Sequence, residues 1–424
     1  MDTGALIGVV CVAIIGGYPT IRSAMTLGVV RPVIFGLVAQ GLVAIALMIF
    51  VGLWAPDAIK YHSMGKELAE HLAGGPEPAI TVGDGKEGFP ILLGGLYWLF
   101  GPYASIGVAV NWISHGALVV ALAATARRLG LPVRWTAWIA ALFPPLLLWG
   151  GLLLRDSIAW LLIALVILGL AIFSQARGGR EQAKGVVLVL SALLALSVVR
   201  GSAAMIVCVA AALVLTITAR RAVALPHLVL VVAMLGVLLP QVLPIASAYL
   251  TGDETREPLP VLESTEEPAR DSHSSQGAPQ EEDALSQSRG ALSRDSTTSF
   301  AGPGSSGPPG LVASATRVVA GPLPWEWGRV GPQVVADSAV WLALIIAAAA
   351  GTWRKRRCWR SLALLIVPAS LLLGALMVTS GNYGTMQRLR LQSEVLLIPI
   401  AAAGFQRRDT DEHADSTDHS ENRC

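Results

Sequence analysis

Apolar residues fall in blocks long enough to cross hydrocarbon, separated by short charged clusters. A bilayer core is about 30 Å thick and a helix rises about 1.5 Å per residue, so a span needs about 20 mostly apolar residues. The blocks predict about eleven spans, at 4–18, 32–54, 104–126, 132–151, 157–174, 184–199, 202–219, 226–249, 337–352, 360–379 and 392–406. The stretch from Phe89 to Phe100 is too short and Gly-rich to span comfortably. It is expected to lie at the interface or re-enter, anchored by Tyr97 and Trp98. The predicted fold class is therefore all-α: a polytopic transmembrane helical bundle with interfacial helices in the first large external loop, 55–103.

Basic loops orient these spans. Arg22 and Arg31, then Arg127, Arg128 and Arg134, then Arg177, Arg180 and Lys184, then Arg220 and Arg221, then the run from Arg354 to Arg357, then Arg407 and Arg408 alternate with the spans. All fall on one side if the N-terminus is outside and the C-terminus cytoplasmic. This predicts an odd span count; richness in Ala, Gly, Leu, Val and Arg with little Lys suggests a GC-rich bacterial genome, and so a bacterial cell membrane.

Composition agrees: 54% of the 424 residues are hydrophobic and 14% charged, against about 25% charged in soluble domains. The chain begins Met-Asp-Thr without a basic leader, so the first block is expected to be a retained helix rather than a signal peptide. Four cysteines show no CxxC spacing and no framework, so neither disulfides nor a zinc site are expected. Residues 250–310 hold 11 acidic and 4 basic residues among Ser, Pro and Gly, a composition that predicts a disordered acidic external loop. The organisation is then an N-terminal span and basic loop (1–31), a transmembrane core (32–249), the acidic loop (250–310), a second transmembrane core (311–406) and a polar tail (407–424).

Ionisable groups near membrane depth are costly and mark functional sites. Asp57 follows the second span; a helix after Pro56 would put it on one face with Tyr61, with His62 alongside. It is a candidate general base towards a hydroxyl, or a residue that caps the helix and complements its dipole. Lys86, beside Glu87 in a glycine-flanked turn, could approach a phosphate or be a solvated loop charge. Arg155 offers a planar fork for phosphate, with Asp156 to orient it; alternatively the two form a surface pair of little energetic weight. Arg200 lies outside against the positive-inside trend, either snorkelling to headgroups or serving the site. Arg388 and Arg390 follow a glycine turn and suit a phosphate, or anionic lipid. Trp325, Glu326 and Trp327 are expected at the outer interface. No Walker loop, HExxH, Cys/His cluster or GxSxG elbow is present. No resident cofactor is assigned; a divalent cation is the one left open.

Together these residues resemble the GT-C superfamily of polyprenyl-phosphate-sugar-dependent glycosyltransferases, in the branch of protein O-mannosyltransferases and lipid A aminoarabinose transferases. Asp57 with Tyr61 and His62 matches the acidic site of that family's first external loop. The Gly88–Gly101 stretch is similar to its interfacial helices, Asn111 to an Asn of the next span, and Pro144-Pro145 through Arg155-Asp156-Ser157 to its second external motif. The stretches Gly321–Trp327 and Gly381–Arg390 are similar to related bacterial polysaccharide membrane proteins. The chain departs from the family in an extra first span and in reading Asp-Ala-Ile-Lys where an Asp-Glu pair is usual.

The resemblance implies an inverting transfer of sugar from a polyprenyl-phosphate donor to a hydroxyl of a glycan, lipid or protein at the outer face, with no nucleic-acid partner. Asp57 and Asp156 would be the catalytic carboxylates. Tyr61, His62, Lys86, Arg155, Arg200, Arg388 and Arg390 would bind substrate. The alternatives are an arginine-dependent O-antigen polymerase or ligase, and a lipid-linked glycan flippase, against which spans read as lacking acidic residues argue.

Overall fold

The computed structural model describes residues 2–52, 55–78, 87–218, 226–238, 308–327, 330–379 and 383–406. Among these the secondary structure is helical, with no β-strand. The expectations placed on 250–307, on the 407–424 tail and on Lys86 lie outside the described residues. The chain divides into two compact units, one of Met1–Ser247, Ala343–Leu372 and Leu391–Cys424, the other of Ala248–Leu342 and Leu373–Arg390.

In the first unit α1 (Thr3–Leu27) and α2 (Val30–Phe50) lead to a helical hairpin, α3 (Pro56–Leu72) and α4 (Gly88–Phe100). Then follow α5 (Ala104–Arg128), α6 (Val133–Leu142), α7 (Pro144–Gly150), α8 (Asp156–Gln175), α9 (Gly179–Val199), α10 (Gly201–Thr218) and α11 (Pro226–Leu238). The second unit holds α12 (Pro308–Ala320). Three helices contribute residues to both units: α13 (Pro332–Arg354), α14 (Trp359–Thr379) and α15 (Tyr383–Phe405).

The protein is an all-α bundle with the character of a membrane protein. Among the described residues seven helices are long and apolar enough to span: α1, α2, α5, α8, α9, α13 and the Arg356–Met377 segment. Large apolar side chains on α1 and α2 point outward, Ile15 at 76% and Leu42 at 64% exposure; a contiguous apolar surface of this kind belongs in lipid rather than water.

The predicted eleven spans differ from these seven for physical reasons. The expected span 132–151 is broken: Pro144 and Pro145 remove backbone donors, and the chain turns extended at Phe143 between α6 and α7. The apolar helices α10 and α11 are described over shorter lengths. Helix α15 is long enough but carries Arg388, Arg390 and Glu394. The Phe89–Phe100 segment is a helix, but Tyr97 is buried against α3 rather than anchoring an interface; Trp98 is exposed.

Helices of the first unit alternate in direction. At one end Tyr103 donates to Asp2 (2.6 Å). At the other, Arg127 donates to Thr26 O, and Gln175 to Arg128 O, while Arg128 faces Glu181. Basic loops thus gather at one end, and α3, α4 and the start of α8 at the opposite one. Helices α8 and α9 approach closely through Gly169 and Gly185: a Cβ at Gly185 would stand 2.9 Å from Gly169 O. Among the described residues Cys11 and Cys208 are free thiols.

Between α7 and α8, residues 151–155 are non-helical yet Leu152, Leu153 and Leu154 are buried. Irregular backbone at membrane depth requires internal partners. Asn111 of α5 supplies them, its Nδ2 donating to Leu152 O (2.7 Å) and Leu154 O (2.8 Å). Asn111→Ala should cost about 1–3 kcal/mol for each carbonyl left unpaired, read as a lower unfolding temperature in detergent. An unchanged temperature would refute this role.

Candidate functional site

The stretch tied down by Asn111 delivers Arg155 and Asp156 to the start of α8. Antiparallel α9 ends beside it, and Arg200, in extended backbone (φ −155°, ψ 80°), joins α9 to α10. Arg200 Nη1 pairs with Asp156 Oδ1, and the two side chains are only 4% and 1% exposed. Gln392, with its amide oxygen turned to the guanidinium, accepts from Arg200 Nε and Nη1 at 3.2 Å. The carboxylate expected to orient Arg155 is thus engaged with Arg200. Arg200 does not snorkel: its charge is met inside the protein.

Arg155 is held by backbone, its Nη1 donating to Val199 O (3.1 Å). Its guanidinium carbon lies 5.9 Å from the centre of the Tyr61 ring. The side chain is buried, yet its Nε has no acceptor among the described residues. A buried donor of this kind asks for a ligand.

The α3–α4 hairpin closes over this platform. Pro56 pre-sets the first turn of α3, and Asp57 follows it with no side-chain cap at Ala55. Tyr61, one turn on, is buried, while Lys60 is exposed. Tyr61 meets Phe89 edge-on (5.4 Å between centroids) within a cluster that includes Leu93, Tyr97 and Leu152–Leu154. His62 Nδ1 lies 3.0 Å from Tyr97 Oη. Burial, then the Lys66 charge, lower the His62 pKa below 6.5, and burial raises that of Tyr97. The ring therefore favours its neutral form. The start of α4 abuts α9: a Cβ at Gly88 would stand 3.0 Å from Val198 O. Glu87 is buried there.

Tyr61, Arg155, Asp156 and Arg200 are therefore brought together, with Asp57 half-buried on the same helix as Tyr61 and His62 tied into the hairpin. Arg388 and Arg390 belong to the second unit. Arg390, expected at an external surface, is fully buried; it donates to Asp337 Oδ2 (2.6 Å), and its guanidinium lies 5.1 Å from the Trp341 ring. Arg388 is half-buried.

Asp337 in α13 and Glu394 in α15 also correct the expectation that spans lack acidic residues; Glu394 is fully buried. An acid within an apolar run, with arginine on another span, was the available signal.

A further carboxylate organises the second unit. Glu326 Oε1 accepts from Arg317 Nε (2.9 Å), and its Oε2 from Tyr383 Oη (2.6 Å) and Leu323 N (2.9 Å). Burial opposes its ionisation, but the hydrogen bonds from Tyr383 and Leu323 and the Arg317 guanidinium outweigh it and hold its pKa below 4.5. Trp325 and Trp327 flank it, both exposed.

Among the described residues no group of three or more His, Cys, Asp or Glu is placed to hold a metal ion. No protein-family model matches the chain, nor does any curated protein or solved structure.

The Asp156–Arg200 pair should behave as a unit. Asp156→Ala or Arg200→Ala alone should cost about 3–5 kcal/mol by leaving a buried charge unpaired, whereas Asp156→Leu/Arg200→Met should cost much less. Additive losses in this cycle, measured by chemical unfolding, would contradict the pairing. For Glu326 the folded-state pKa is depressed, so its contribution is complete above 4.5 and disappears as pH falls towards the folded value. Glu326→Gln should melt below the parent at pH 7, with the gap closing on acidification. A gap constant to pH 3 would refute the network.

Proposed function

We propose that the protein is a membrane glycosyltransferase moving a sugar from a polyprenyl-phosphate donor to an acceptor hydroxyl. The observation carrying this reading is the buried Arg155. Its Nε has no acceptor among the described residues, its guanidinium carbon lies beside the Tyr61 ring, and Asp57 lies one helical turn before Tyr61. A cationic fork and a carboxylate thus reach one end of an apolar bundle, where a lipid-borne phosphate would be bound.

In this reaction Asp57 takes the acceptor proton as the hydroxyl oxygen bonds the anomeric carbon. The bond from that carbon to the phosphate oxygen breaks, and the electron pair leaves with the phosphate. Arg155, supported by Arg200, stabilises the departing anion through preorganised charge. Asp156 keeps Arg200 in place, and the bundle supplies proximity for the isoprenoid chain. The outer leaflet of a bacterial cell membrane, and a glycan, lipid or protein acceptor, belong to the same proposal. It adopts the GT-C resemblance of the Asp57, Gly88–Gly101 and Arg155-Asp156 stretches.

A second reading, a polymerase or ligase acting on pyrophosphate-linked glycans, gains from arginine being the most firmly built part of the site. Sugar transfer from a polyprenyl-phosphate donor in isolated membranes separates them. Asp57→Asn should lower kcat by about 10²–10⁴-fold and Arg155→Ala by about 10²–10³-fold. Full activity in Asp57→Asn would overturn the base assignment. Loss in Arg155→Ala with Asp57 dispensable would favour the second reading.

A further inference from the structure

At the end of the first unit opposite α3, a cavity of about 360 Å³ opens between the starts of α2 and α6. Arg31, Arg134 and Trp138 line it, with Gly28, Val30 and Pro32. Arg31 and Arg134 both line this space and, among the described residues, no carboxylate does, an arrangement that favours an anion between them. Both helices begin there without a side-chain cap, at Val29 and Pro132, so their positive ends and free N–H groups add to the same field. Arg127, bonded to Thr26 O, brings a third cation nearby.

Two features select a lipid rather than a free anion. Trp138, its ring tilted against that of Phe35 with centroids 5.5 Å apart, gives the cavity an amphipathic wall suited to headgroup depth. From its mouth an exposed apolar stripe, Ile34, Val38, Leu42 and Ile45, runs along α2 at helical spacing. We propose that this cavity binds the phosphate of an anionic phospholipid, with the acyl chains lying on that stripe. It is separate from the Arg155 site, at the opposite end of α2.

The test uses the full chain, delipidated in detergent and titrated with phosphatidylglycerol or phosphatidylcholine under native mass spectrometry. The parent should prefer phosphatidylglycerol by at least about tenfold. Arg31→Gln/Arg134→Gln should abolish that preference, while the charge-matched Arg177→Gln/Arg180→Gln, both exposed between the end of α8 and the first turn of α9, should retain it. Equal loss in both double variants would reduce the effect to general surface charge and overturn the site. So would absence of a preference in the parent. Millimolar inorganic phosphate should leave phosphatidylglycerol bound; displacement would assign the cavity to free phosphate and overturn the lipid. The inorganic phosphate arm needs only the parent protein, so it decides even if a variant folds poorly.

Discussion

Arg200 cannot shed its proton, and it is buried among apolar helices, so a counter-charge must be built where it sits. Asp156 is that counter-charge, and the pair joins the start of α8 to the junction of α9 and α10. Much of this end of the bundle follows. Arg155 precedes Asp156 and so is delivered to Val199 and Tyr61. The irregular stretch that makes this delivery possible is held by Asn111. The α3–α4 hairpin then packs its Tyr61, Phe89 and Tyr97 onto the same platform.

The same rule governs the second unit. Arg390 is paired with Asp337, and Glu326 is satisfied three times over by Arg317, Tyr383 and Leu323. In both units these buried charges are matched, because low dielectric makes an unmatched charge expensive. Arg155 differs. Its Nη1 is anchored by a carbonyl, which carries no net charge, and its Nε has no acceptor among the described residues. That surplus of positive charge separates a residue that holds the fold from one suited to binding an anion.

Apolar block length made the helical bundle legible, and the basic loops foretold the alternation of helix directions seen in the first unit. Proline chemistry explains the one broken span: Pro144-Pro145 lies within an apolar block that length alone reads as continuous. At the site, Asp57 and Tyr61 were legible as an i, i+4 pair once Pro56 marked a helix start. Partner choice was not. Adjacency suggested Asp156 for Arg155, but a side chain at a helix start can face a distant segment, and antiparallel α9 brought Arg200 to it. Arg390 read as an external cation because its partner Asp337 is 53 residues away in sequence. Asn111 could be singled out only by resemblance, since its two carbonyl partners exist only once α7 and α8 are separated by irregular chain.

The central claim is that Arg155 is a surplus cation awaiting a lipid-borne phosphate. The most direct measurement is equilibrium binding of a short-chain polyprenyl phosphate and of the corresponding alcohol to the purified protein. The phosphate should bind at least about tenfold more tightly than the alcohol, as a charge-assisted contact implies, and Arg155→Ala should erase that difference while leaving alcohol binding unchanged. Equal binding of the two ligands by the parent, or a phosphate preference that survives Arg155→Ala, would contradict the account.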